Sequence, residues 1–127
     1  MDKATFEKGR AIRSSVLGKE FVDNAFKQAD DFSMPMQELV TEYCWGWLWN
    51  RPGLERRTRS MLNIAMLAVL GRSNELKSHV KGALRNGCTK EEIAEVLLQA
   101  AVYGGVPVGM ASFALAREAF KEMEAPK

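Results

Sequence analysis

Histidine and cysteine are scarce in this sequence: one histidine, His79, and two cysteines, Cys44 and Cys88, among 127 residues. The cysteines lie far apart and form no CxxC or metal-ligand spacing, so no metal is expected and a reducing, cytoplasmic setting fits. A basic stripe is missing too. Eighteen basic and sixteen acidic residues are interspersed for a net charge of +2, which leaves no footprint for nucleic acid. No apolar run reaches membrane length: the longest, Met61 to Leu70, is interrupted by Asn63 and is about half of what a span needs. The opening MDKATFEKGR is polar where a signal peptide needs a long apolar run. Alternating runs of β-branched and aromatic residues are absent, which excludes a sheet protein. No period of about 20 to 50 residues recurs, which excludes a solenoid.

What is present reads as helix from end to end. Hydrophobic residues make up 46% and charged residues 27%, an ordinary globular composition. The length predicts one domain over residues 1–127. A chain of this size buries only about two thirds of its unfolded surface, so self-association is a natural further source of burial. Helical periodicity predicts a first helix over 5–15, closing near Gly18, and a second over about 21–29 with Ala25 and Phe26 inward. Pro35 marks a break or a first helical turn. An aromatic-rich helix follows with Leu39, Tyr43, Trp45, Gly46, Leu48 and Trp49, and stops at the turn residues 50–53. The stretch 54–70 begins charged and becomes apolar on nearly every side, as a helix buried in a domain or between subunits would. Gly71 and Gly87 close helices, the second running over about 73–86. Thr89 and Glu92 form a capping box, followed by the apolar face Ile93, Val96, Leu97, Ala100 and Ala101. Gly104 to Pro107 breaks the pattern before a last helix over about 108–122. The sum is about seven helices with short connections, an all-α single-domain helical bundle.

Three groups of residues can carry chemistry. Glu75 and His79 stand four apart on one helix, so the carboxylate can orient the imidazole and raise its basicity, making a general acid or base. An ordinary i,i+4 pair has the same spacing. Arg56, Arg57 and Arg59 lie together where a buried helix begins, and guanidinium forks bind carboxylates in bidentate fashion; a solvated basic turn is the other reading. Trp45, Trp47 and Trp49, spaced by two, cannot share one helix face, so packing is expected for at least two of them. Met61 and Met66 read as core filler. Gly104-Gly105 lacks the context of a phosphate-binding loop.

The stretch WGWLWNRPGLERRTRSMLNIAML, then ELKSHVKGALRNGCTKEEIAEVLLQAAVYGGVP and ASFALAREAF, resembles the carboxymuconolactone decarboxylase family over nearly the whole chain. The most specific pieces are Arg-Pro-Gly-Leu at 51–54, Arg-Thr-Arg-Ser at 57–60, His79-Val80 and the run Glu95 to Gln99. The resemblance implies an all-helical, alkylhydroperoxidase-D-like fold assembled as a homo-oligomer, a homohexamer or trimer. The family's redox branch uses a CxxC pair with a glutamate. Aligning on His79 places Arg72 and Glu75 at those cysteines and Ser60 at that glutamate, so thiol peroxidase chemistry is not expected.

The decarboxylase branch converts 4-carboxymuconolactone to the β-ketoadipate enol-lactone and carbon dioxide in the protocatechuate arm of aromatic degradation. No cofactor is implied, because the electron pair left by carbon dioxide runs through the ring double bond onto the lactone carbonyl. Such a site must anchor carboxylates, stabilise an enolate oxygen and deliver a proton to carbon. The resemblance therefore implies His79 as proton donor, Glu75 as its orienting partner, and Arg57 and Arg59 as anchors or oxyanion stabilisers. Trp45 and Met110 are the further substrate contacts. The chain reads Tyr-Gly-Gly-Val-Pro at 103–107 and Val-Gly-Met-Ala at 108–111 where the family's decarboxylases read Tyr-Cys-Gly-Val-Pro and Ala-Ala-Asn-Ser, so Met110 stands in place of a polar side chain. Two alternatives stand beside this reading: a paralogue acting on another small acid or an oxidant, and a non-catalytic helical assembly.

Overall fold

The computed structural model describes residues 2–125, and every regular element among them is helical. Seven α-helices follow in order: α1 Lys3–Leu17, α2 Lys19–Gln28, α3 Met34–Leu39, α4 Arg56–Leu70, α5 Ser73–Arg85, α6 Lys90–Gly104 and α7 Val106–Glu124. A π-helical segment, Val40–Leu48, continues α3 without a break. Their contacts gather into two units, one up to Glu55 and the other from Arg56 onward.

In the first unit α1 packs along the π-helical segment, and two glycines set how closely. A Cβ placed on Gly9 would lie 2.0 Å from the carbonyl oxygen of Thr41, and one on Gly46 would lie 2.3 Å from that of Thr5. Only bare backbone fits there. Around this contact Ile12, Val16, Leu17, Val22, Trp45 and Trp49 form the core, with Phe26, Val40 and Cys44 at its margin. The inward residue of α2 is Val22, while Ala25 and Phe26 are half-buried. The aromatic helix expected as α is π-helical, its amide of Trp49 bonding the carbonyl of Cys44 at 3.0 Å, five residues back. The turn at 50–53 ends it as expected.

In the second unit α4 packs on α5 and α6, and α7 packs on both of those. Ile64, Leu76, Val80, Ile93 and Leu97 are fully enclosed at its centre, each stabilising the fold by roughly 1.5–3 kcal/mol through the apolar surface it withdraws from water. Gly71, Gly87 and Gly105 all take positive φ at helix ends, and the Thr89–Glu92 capping box forms at the start of α6. Helix α4 is enclosed on one side only within this chain. Its inner side is buried at Arg59, Ser60, Ile64 and Ala68, but Leu62, Met66, Val69 and Leu70 are exposed on the chain. Met66 is therefore not core filler, whereas Met61 packs against the core. Among the described residues no helix is long and apolar enough to cross a membrane.

Candidate active site

The charged start of α4 is held by the α5–α6 turn. Arg57 pairs with Glu92, the same glutamate whose carboxylate accepts from the backbone amide of Thr89. The Glu92 carboxyl is held below its ordinary range first by the backbone amide of Thr89 and further by Arg57. Two residues after Arg57, Arg59 points inward and is 9% exposed. Ser60 beside it is fully buried, and its hydroxyl accepts from the side-chain amide of Asn86 at 2.9 Å. The Cys88 thiol approaches the carbonyl oxygen of Arg57 at 3.6 Å. One helix start is thus fastened at three places to one turn, which fixes where both arginines begin.

His79 lies on α5, which packs directly against α4. The residue is half-buried, and the protein around it pulls the imidazole down to about 4. Burial is the larger cause, and the Glu75 carboxylate opposes it. The expected effect of Glu75 is therefore present in direction but is outweighed, because a cation loses more hydration than one exposed carboxylate returns. At neutral pH the ring is neutral.

The remaining expected site residues belong to different units. Trp45 lies in the core of the first unit, stacked on Trp49 with ring centroids 4.7 Å apart, while Trp47 is exposed and stacks on Tyr43. Met110 is 73% exposed on α7. Among the described residues no cluster of three or more His, Cys, Asp or Glu side chains has the form of a metal site. Both thiols are raised by burial, Cys44 in the first unit and Cys88 in the second.

A cleft of about 320 Å³ opens on the second unit between the end of α4, the start of α5 and α7. Leu67, Leu70, Leu76, Val108 and Leu115 make its walls apolar, and Arg72 stands in its lining. Leu76 is on α5 one residue short of a helical turn before His79; His79, Arg57 and Arg59 are not lining residues. Arg72 was legible only as the residue that replaces a cysteine of the redox branch. An arginine in an apolar cleft of small-molecule size is a place for a carboxylate.

Residues 35–118 match the carboxymuconolactone decarboxylase family. The chain is 37% identical over 122 residues to the 4-carboxymuconolactone decarboxylase of Acinetobacter baylyi, covering 96% of this chain and 91% of that protein. It is 39% identical over 123 residues to the nitrosuccinic acid decarboxylase of Metarhizium robertsii, covering 97% of this chain and 86% of that one. The chain belongs to the carboxymuconolactone decarboxylase family, and its chemistry is that of a carboxy-lyase.

Proposed function

We propose that this protein decarboxylates a small lactone carboxylate without a cofactor, with 4-carboxymuconolactone as substrate and the enol-lactone of aromatic degradation as product. In that reaction the bond to the leaving carboxylate breaks, and its electron pair moves through the ring double bond onto the lactone carbonyl oxygen. A proton then adds to carbon. One observation carries the assignment of roles: the single histidine is held neutral by burial on a helix packed against the helix that bears Arg57 and Arg59. A neutral imidazole is not an acid in the resting site. Negative charge gathering on the enolate beside it raises its proton affinity, so it takes up a proton from solvent water as the intermediate forms and passes it to carbon, returning to the neutral ring. Glu75 supports that protonated state. Arg59 anchors the substrate carboxylate, and Arg57, steered by Glu92, stabilises the oxyanion.

A second substrate is favoured by the relative named for nitrosuccinic acid. There the pair released with carbon dioxide would enter the nitro group as a nitronate. Both molecules supply their own electron sink and keep a second carboxylate after reaction, so one arginine-bearing site can serve either. The exposed apolar residues of α4 (Leu62, Met66, Val69) and those that start α7 (Val106, Met110) support a homo-oligomer in which these surfaces meet a second copy. The cytoplasm is its expected location.

The test offers purified protein 4-carboxymuconolactone and nitrosuccinate in parallel, following the lactone's loss of absorbance and carbon dioxide release. Turnover of the lactone supports the first substrate, and turnover of nitrosuccinate alone transfers the assignment to the second. No release from either overturns the proposal.

A further inference from the structure

Arg13, on α1, is 7% exposed, and no carboxylate of the described residues is among the charges that act on it. Its Nη1 donates to Oε1 of Gln37 at 2.9 Å and to Oγ1 of Thr41 at 3.3 Å, both neutral acceptors, and its buried Nε has no hydrogen-bond partner. Asp23 is already engaged, pairing with Arg10 at 3.1 Å and also with Lys19. The Cys44 thiol is no substitute, since burial raises it and keeps it protonated. A guanidinium cannot shed its proton, and its remaining contact is the face of Phe26, with the Cζ 6.0 Å from the ring centroid, which attracts a cation but carries no counter-charge.

The charge has an outlet. Because arginine only donates, its bond to Gln37 fixes which end of the Gln37 amide faces it: the oxygen points at Arg13, and the NH₂ group points away. Gln37 lines a cleft of about 490 Å³, together with Phe21, Asn24, Ala25, Gln28 and Ser33. Among the described residues no charged side chain lines this cleft. Three amides with donor groups therefore face a space of small-molecule size, and the innermost of them is polarised by a buried cation. Asp30, the neighbouring acid, is occupied by the backbone amide and hydroxyl of Ser33.

We propose that this cleft binds the carboxylate of a small organic acid, with Gln37 as the contacting donor and Arg13 as the source of positive potential behind it. The site lies wholly within the first unit and does not depend on the decarboxylase assignment. The probe is succinate, with succinamide as its uncharged counterpart, added to the full-length protein while side-chain amide resonances are followed by NMR. Succinate should shift the NH₂ signals of Gln37, Asn24 and Gln28, and succinamide should not. Arg13→Met should weaken succinate binding about tenfold and, with the uncompensated charge removed, should unfold at no lower temperature than the wild type without ligand. If that variant does not fold, Gln37→Leu removes the contacting donor while keeping Arg13, and should weaken binding as much. The proposal is overturned if succinate leaves the cleft amides unmoved, or if both folded variants bind it undiminished. It is also overturned if Arg13→Met breaks a self-assembled species while succinate binding is unchanged, since the counter-charge would then come from a second copy.

Discussion

The side-chain amide of Asn86, just past the end of α5, donates to the hydroxyl of Ser60 on α4 at 2.9 Å, and Ser60 is completely enclosed. The bond ties the arginine-bearing end of α4 to the turn that follows α5. Ser60→Ala leaves the Asn86 amide facing a methyl group, an unmade hydrogen bond costing about 1–3 kcal/mol. Urea unfolding should show a lower midpoint with an unchanged slope, and an unshifted midpoint would mean water replaces the serine.

Gly9 is the tightest point of the first unit. With a Cβ only 2.0 Å from the Thr41 carbonyl, Gly9→Ala cannot be relieved by rotating a side chain, since the obstacle is backbone. Helix α1 must lift from the π-helical segment, at a cost of about 1–3 kcal/mol or more. Loss of near-ultraviolet dichroism from Trp45 and Trp49, with helix content kept, is the expected signature. Gly53→Ala, at an open position, should be silent.

The depressed imidazole makes a statement about pH. His79 titrates near 4 in the folded chain and near 6.5 when unfolded, so below 6.5 the unfolded state binds the extra proton. Stability is therefore complete above about pH 7, falls as pH drops toward 4, and loses nothing further from this group below that. The loss amounts to about 2 kcal/mol, at roughly 1.4 kcal/mol per pKa unit reduced for partial exposure. His79→Gln should abolish the slope between pH 6.5 and 4. It should leave the lower loss that follows protonation of Glu122, which Lys77 and Lys81 hold down to about 2. The same variant should lower kcat for the lactone about 100-fold, the lower end for a lost proton-transfer group; full turnover removes His79 from the mechanism.

Glu92 holds the Arg57 guanidinium in place through their ion pair. Glu92→Gln keeps the capping arrangement, which glutamine also satisfies, but discharges the partner of Arg57. With Arg57 no longer held in place, kcat is expected to fall severalfold with KM little changed. An unchanged kcat would show that Arg57 serves the fold alone.

Much of the second unit was readable in the chain, because its signals are local. The Thr89–Glu92 box and the positive-φ glycines at 71, 87 and 105 depend on a few neighbouring residues, and each appears where the residue types require it. The i,i+4 spacing of Glu75 and His79 was likewise legible. Its consequence was not: whether the carboxylate or the burial governs the ring depends on atoms contributed by other helices. Helix α4 shows the same limit. Its composition announced burial on all sides, but only its packing against α5 and α6 decides that Ile64 is enclosed while Leu62 and Met66 face outward.

Arg13, Ser60 and the Gly9–Gly46 contact left no local mark, since each has meaning only through a residue some 24 to 37 positions away. By itself the sequence determined the helical class, the helix ends and the family, because periodicity, caps and motifs act over one or two turns. The tertiary structure alone decided which charges are neutralised, which faces stay bare and where the clefts open, because solvation and Coulomb energy depend on distance through space rather than along the chain.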